Sequence, residues 1–496
     1  MTLTAHLPVL QVVVPMLVAP LVLLLRVRSL PWATATAASL IAFAIAVSLT
    51  RTVLEHGVVT YLLGSWPAPY GIELRVTSFG ALLLLIVTGA SSLTLLAGRL
   101  SIATQIAYEQ QPLFYAAWLL ALAGLTGIVV AGDAFNIFVF IEITSLASYV
   151  LIAAGPDRRA LPAVFKYLVM GTIGGTFYLI GVGLIYMMTG TLNLADMAAR
   201  VHDVGHLRPV LAAAGFITIG LALKAAVFPL HAWLPKSYTY APHIVTAFLA
   251  ACSTKVALYV LLRFDFLVFQ NNLLAHDVQF IRFLMPLALT AMLIASGIAV
   301  FEASLKRLLA YSSIAQVGYI LLGASLQTQA GLTAGILHMF VHALAKGTLF
   351  LAVAALALRF SRLRLEDLAG AGRQMPWTMA AFVIAGLSLI GIPGTAGFIS
   401  KWLLISAVLE HGALGVALVV MILVSSLLAA IYVWRVVETA YLGGTASPAK
   451  PVAEAPLSML LVLWVAALAN IFFGLAPSLP TALASQAASI LLRHGS

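Results

Sequence analysis

The chain has 496 residues, of which 62% are hydrophobic and only 8% charged, with a formal net charge of +10. That balance excludes a water-soluble globular domain and marks an integral membrane protein. A single cysteine, Cys252, excludes an internal disulfide and leaves a thiolate metal cluster without ligands.

Taken in chain order, apolar stretches of roughly 18 to 28 residues alternate with short polar breaks, the length a helix needs to cross about 30 Å of hydrocarbon. The window rule predicts an all-α membrane fold of about fourteen spans. Their centres fall near residues 16, 41, 87, 121, 144, 178, 220, 252, 292, 317, 346, 390, 423 and 466. No Lys or Arg precedes the first stretch, which runs on to Arg26 and reads as a retained helix, not a cleaved signal. The longer polar interruptions, 51–76, 191–208 and 359–377, read as loops or short surface helices, so the whole of 1–496 is one membrane unit.

The basic residues follow the loops. With the N-terminus outside, about fifteen of them fall on the cytoplasmic side, Arg26, Arg28, Arg99, Arg158, Arg159, Lys236, Lys306 and Lys450 included, and about seven on the other. This is the positive-inside pattern of a plasma-membrane (inner-membrane) protein with both termini outside. It explains the positive charge through lipid, with no nucleic-acid partner. The cluster Arg359, Arg362 and Arg364 reads as a cytoplasmic anchor.

Residues 112–263 and 283–435 each read as about five spans, flanked by peripheral helices in 1–111 and 436–496. Each block contains one span interrupted in its middle, by Phe228-Pro229-Leu230 in the first and by Gly391-Ile392-Pro393-Gly394-Thr395 in the second. Two consecutive blocks with odd numbers of spans lie in opposite orientation, the pattern of inverted repeats with broken helices. A proline alone is an ordinary packing kink. Here Lys224 precedes Pro229 by five positions and Lys401 follows Pro393 by eight, placing an amine near freed backbone in both halves.

Five charged residues fall within the spans: Glu142, Lys224, Lys255, Lys346 and Lys401. Each costs roughly 3 kcal/mol to insert near the bilayer centre, an expense that packing alone does not require. Burial disfavours a charged amine and a nearby carboxylate favours it, so amines with one acid suit proton hopping. His338 and His342 precede Lys346 in an i, i+4, i+8 stripe that makes one helix face polar. The same stripe could hold helices together by hydrogen bonds. As a zinc site it lacks a third ligand. His231, beside the first break, reads as a cap for freed carbonyls or as a relay, the latter favoured by its titration near neutrality. The glycine-rich GTIGGTFYLIGVG (171–183) lacks the Lys-Ser or Lys-Thr of a phosphate loop and reads as a close-packing helix face.

GDAFNIFVFIEITSLASYVLIAAG (132–155), ALKAAVFPLHAWLPKSYTYAP (222–242), KRLLAYSSIAQVGYILLG (306–323) and GIPGTAGFISKW (391–402) resemble the antiporter-like subunits. These are shared by respiratory complex I, membrane-bound hydrogenases and the Mrp multisubunit cation/proton antiporters. The phrase LGSWPAPYGIEL (63–74) looks most like the D-type subunit of the Mrp antiporters. The resemblance implies fourteen transmembrane helices with two inverted five-helix repeats, and a proton-translocating subunit of a Na+/H+ antiporter working with other membrane subunits. The alternative is the proton-pumping subunit of a redox complex, a hydrogenase or complex I relative. A self-sufficient solute transporter fits less well, because the charges are strung over many helices. The resemblance also implies Glu142 paired with Lys224, Lys255 as connecting relay and Lys401 as terminal exchange residue. His231, His338, His342 and Lys346 would line the path, with no cofactor or metal in this subunit and no enzymatic reaction of its own. The sequence departs from the family pattern at Lys236, His243, Gln316 and Val76-Thr77-Ser78, each touching entry, exit or tuning.

Overall fold

In the computed structural model, residues 3–25, 27, 29–269, 280–360, 362–443 and 453–493 are described. Arg26, Arg28 and Lys450 of the basic series lie outside them.

The chain opens with α1 (Leu7–Leu23) and α2 (Leu30–His56), then β1 (Val59–Leu62) and β2 (Glu73–Val76), and α3 (Ser78–Gln105). The two strands pair antiparallel, Val59 opposite Val76, and depart from the all-helical expectation. VTYL and ELRV are β-prone, and the Pro- and Gly-rich segment between them reverses the chain. Next come α4 (Gln111–Val130), α5 (Ala134–Ala153), α6 (Ala160–Thr189), the surface helix α7 (Leu194–Val204), α8 (Arg208–Lys224), α9 (Leu234–Tyr240) and α10 (His243–Arg263). The last continues as a π-helical turn over Phe264–Phe269. The second half holds α11 (Phe280–Thr290) and α12 (Ser296–Phe301), joined by the π turn Ala291–Ala295, then α13 (Leu305–Ser325) and α14 (Gln329–Ala357). It goes on with α15 (Ala371–Gln374), α16 (Pro376–Ile390), α17 (Ala396–Leu409), α18 (Gly412–Leu442), α19 (Leu457–Leu475) and α20 (Ser478–Arg493).

Eleven of the described helices are long and apolar enough to cross a membrane, and shorter apolar helices accompany them. Every one of the fourteen expected centres falls in a helix. Helix α20 lies in the stretch 436–496 read as peripheral helices, but none of the expected span centres falls on it. Gln486 on it accepts from Ser78 Oγ (2.9 Å) and its Ser485 carbonyl accepts from Gln329, so it lies across the starts of α3 and α14.

Local chemistry sets the helix ends. Thr77, Asp133, Asn193 and Thr328 each accept a backbone N–H of the following turn, capping α3, α5, α7 and α14. Helix α6 stops at Gly190 and α16 at Gly391, both with positive φ that favours glycine.

One face of the bundle gathers the basic residues. Arg99 lies over the Trp32 ring at 4.7 Å and Arg159 over Tyr240 at 4.9 Å, while Lys306 donates to Ala241 O at 2.7 Å. Arg359 donates to Glu454 O and Arg435 to Glu302 O. Lys306 was expected in a loop, yet it is buried, its amine satisfied by that carbonyl at the end of α9. The opposite face carries the hairpin, which Gly132 N–H binds through Glu73 O (2.9 Å), with α7 and α20 beside it.

Candidate functional site

Helix α8 ends at Lys224 and helix resumes only at Leu234. Between them Ala226 takes φ +55 and Pro229 has no N–H to offer. The Leu223 carbonyl accepts from the Ala226 N–H at 3.2 Å and from Trp233 Nε1 at 2.9 Å. His231 does not act as this cap. Its ring stacks on Phe228 with centroids 5.1 Å apart, faces Tyr311 at 6.3 Å, and its buried Nδ1 has no hydrogen-bond partner among the described residues.

Lys224 Nζ donates to Ser145 Oγ at 2.7 Å and lies 3.5 Å from Glu142 Oε1. Glu142 and Ser145 are neighbours on one face of α5, and Ser145 passes its own hydrogen to Ile141 O. The glycine tract on α6 makes room for this pair. A Cβ at Gly175 would collide with Glu142 Oε1, and one at Gly174 would meet the Gly220 carbonyl of α8 at 2.9 Å.

From Lys224 a cavity of about 30 Å³, lined by Thr144, Ser145, Tyr167 and Ser253, leads towards α10, the helix that carries Lys255 just beyond Ser253. That volume exceeds the roughly 10 to 15 Å³ that a single water needs. Lys255 is fully buried and donates to Ala250 O. Its amine lies within electrostatic reach of His338, His342 and Lys346 on α14, which packs along α10.

The stripe on α14 is entirely buried. Lys346 donates to Leu309 O at 2.8 Å and to Ser312 Oγ. The His338 and His342 rings stack with centroids 6.4 Å apart, and neither nitrogen of His342 has a hydrogen-bond partner among the described residues. His338 bonds Ser400 through Nδ1 (2.9 Å) and Gln316 through Nε2 (2.8 Å). Gln316, one of the departures noted in the sequence, thus continues the polar line by hydrogen bonding to His338. Ser400 precedes Lys401 at the second break.

There Gly391 (φ +94), Pro393 and Gly394 (φ +87) separate α16 from α17. Lys401 folds back to donate to Leu389 O (3.2 Å), Ile390 O (2.8 Å) and Ser426 Oγ (3.0 Å), over the face of the Tyr319 ring at 4.7 Å. The amine therefore caps the broken helix itself, and the aromatic face adds a cation–π contact.

The structure thus joins Glu142 to Lys224 directly, while His338 bonds Ser400 and lies within electrostatic reach of Lys401 without a hydrogen-bonded link to its amine. Lys255, His342 and Lys346 form a middle cluster without a hydrogen bond to either end. His231 stands off this line beside Tyr311. Sequence reasoning missed Ser145, Ser253, Ser312, Ser400, Ser426, Tyr319 and Trp233. Ser145 and Ser400 could have been found by spacing, since they share a helical turn with Glu142 and Lys401. Lys236 is exposed on the basic face, and the His243 backbone N–H donates to Gln105. Among the described residues no group of three or more His, Cys, Asp or Glu could hold a metal ion.

Residues 131–429 match the family model described as NADH:quinone oxidoreductase/Mrp antiporter, TM. The chain is 41% identical to the N-type subunit of an NADH-quinone oxidoreductase of Desulforudis audaxviator, over 95% of this chain and 96% of that one. It is 31% identical to the D-type subunit of the Na(+)/H(+) antiporter of Bacillus subtilis, over 92% and 91%. Among solved structures, a chain of the Mrp complex from Dietzia superposes with a TM-score of 0.90 at 28% identity, covering 99% of this chain and 98% of that one. A matched region spanning both broken helices, with full-length likeness on either side of it, makes this chain a member of the NADH:quinone oxidoreductase/Mrp antiporter transmembrane family.

Proposed function

We propose that this chain is a proton-translocating subunit of a multisubunit Na+/H+ antiporter, moving H+ along Glu142, Lys224, Lys255, Lys346, His342, His338 and Lys401, with His231 as a side relay. The observation that carries this reading is the polar row running from one broken helix to the other, buried from Lys255 to Lys401 and half-buried at its first end, where its only carboxylate, Glu142, lies 3.5 Å from Lys224. An ammonium beside a carboxylate keeps its proton, and the same amine in dehydrated surroundings without one releases it. Movement of α5 against α8 would then load and unload Lys224, with water in the adjoining cavity passing the proton to α10.

The blocks 112–263 and 283–435 are read as inverted repeats, each with five membrane passes and one break at Pro229 or at Gly391, Pro393 and Gly394. The gathered basic residues support a cytoplasmic assignment for that face, a plasma-membrane location and termini on the outside. Other membrane subunits would supply the coupling, and the role is one of transport, not enzymatic turnover. The test is the sodium-driven pH change in everted vesicles carrying the whole complex. Lys224→Ala at normal assembly should abolish it, and unimpaired exchange overturns the reading.

The 41% identity to an oxidoreductase subunit favours a second reading, a proton pump driven by electron transfer in partner subunits. Iron–sulfur or flavin absorbance in the purified native assembly would establish that driver. Small hydrophobic partners without such absorbance would establish the antiporter.

A further inference from the structure

One more carboxylate lies inside a membrane span. Asp265 sits in the π-helical turn that ends the span His243–Phe269 and is only 6% exposed. Burying a carboxylate costs several kcal/mol unless a cation or full hydrogen bonding offsets it. Among the described residues neither is present, and no Lys, Arg or His of theirs lies within ion-pair distance of it. Arg263, two residues earlier, is turned to Ala131 O (2.9 Å) and the Tyr259 ring. Asp265 accepts one long hydrogen bond, from Thr218 Oγ1 to Oδ1 at 3.4 Å, and its buried Oδ2 has no partner among the described residues. It caps no helix and bridges no charge, so stability alone does not account for it. π turns inserted in α-helices recur at functional positions.

Its place is informative. Thr218 lies on α8 six residues before Lys224, about 9 Å nearer the hairpin face by helix rise. The π turn packs under the surface helix α7, which leaves His202 and Asp203 exposed above it. Asp265 therefore stands between the first broken helix and the hairpin face, on a side of Lys224 that the row towards α10 and α14 does not use.

Resting on the proton-translocating reading, we propose that Asp265 is the proton carrier between Lys224 and the hairpin face, reached through water and the Thr218 hydroxyl. The exchange balances as one proton. The Lys224 ammonium gives H+ to water, Thr218 takes it while donating its own hydrogen to Oδ1, and the resulting carboxylic acid releases H+ beneath α7. The amine is left neutral, and the reverse sequence reloads it.

The experiment compares Asp265→Asn and Asp265→Glu in the whole complex in everted vesicles, with proton movement driven by the complex's own driver. Asparagine keeps the shape and the Thr218 bond but carries no proton. Asp265→Asn should slow translocation by about tenfold or more at normal assembly, while Asp265→Glu stays within about twofold of wild type. Wild-type rates in Asp265→Asn overturn the proposal, as does equal loss in both variants. Should Asp265→Asn fail to assemble, Thr218→Val decides: a slowed complex supports the route and an unchanged one overturns it. Lys224→Ala is the control. Loss there with wild-type Asp265→Asn rejects only this route, whereas a wild-type Lys224→Ala rejects the reading it rests on.

Discussion

The two broken helices treat their lysines differently. At the first, the Leu223 carbonyl is satisfied by the Ala226 N–H and by Trp233 Nε1, which leaves Lys224 to bond Ser145 and face Glu142 on a separate helix. At the second, Lys401 satisfies the freed carbonyls of Leu389 and Ile390 itself and has no carboxylate beside it among the described residues. The first amine is thus governed by the distance between two helices, the second by the shape of its own backbone. A lysine that is only a charge can be removed at the cost of function, whereas one that also closes a helix end is removed at the cost of structure.

The sharpest way to break that contrast is to delete both amines. Lys224→Ala and Lys401→Ala should each lower proton translocation about a hundredfold or more. Only Lys401→Ala should also lower the thermal stability of the purified complex, by roughly 2 to 6 kcal/mol, because it leaves the Leu389 and Ile390 carbonyls without this donor at about 1 to 3 kcal/mol apiece. Equal stability losses would erase the distinction. Next in size, Gly175→Ala puts a methyl onto Glu142 Oε1, displacing the acid from Lys224 while leaving the second break untouched. Translocation should fall about tenfold, and unchanged exchange would mean that the 3.5 Å spacing is not needed.

Trp233→Phe removes the shorter of the two hydrogen bonds to Leu223 O and should cost about 0.5 to 1.5 kcal/mol in the unfolding of the complex. A loss near zero would show that Lys224 can turn to Leu223 O, making the two breaks alike. The smallest effect is expected outside the spans, at Asp157. Hydrogen bonds from Arg159 hold its carboxyl below the usual range, so this pair stabilises above that range and its contribution is lost as pH falls through it. Asp157→Asn should change stability by less than about 1 kcal/mol at neutral pH, with the difference vanishing in acid.

The spans and both interruptions were legible because hydrophobic length and proline are local properties of the chain. So was the α14 stripe, since residues 338, 342 and 346 share a face by helix period alone. The hairpin Val59–Val76 and α20 were not. Four-residue strands carry little periodic signal, and Ser478–Arg493 is too short and too mixed for the span rule. Within the site, charge in an apolar run revealed Glu142 and the four lysines. The hydroxyls that hold them are common in membrane helices and carry no comparable signal. Asp265 was overlooked because the span was taken to end near Arg263, whereas a π turn carries it six residues further into the packed interior. The Trp233 cap needed three dimensions, since it closes ten residues of chain.

Helix α14 runs 29 residues without interruption through the middle of the molecule. Its rungs at 338, 342 and 346 are fixed about 6 Å apart by the helical rise, roughly twice the reach of a hydrogen bond. Under the proposed reading such a ladder cannot hand a proton on unaided. It insulates when dry and conducts when wetted, so a membrane protein without a mechanical gate at this position would still resist a short circuit of the gradient it serves.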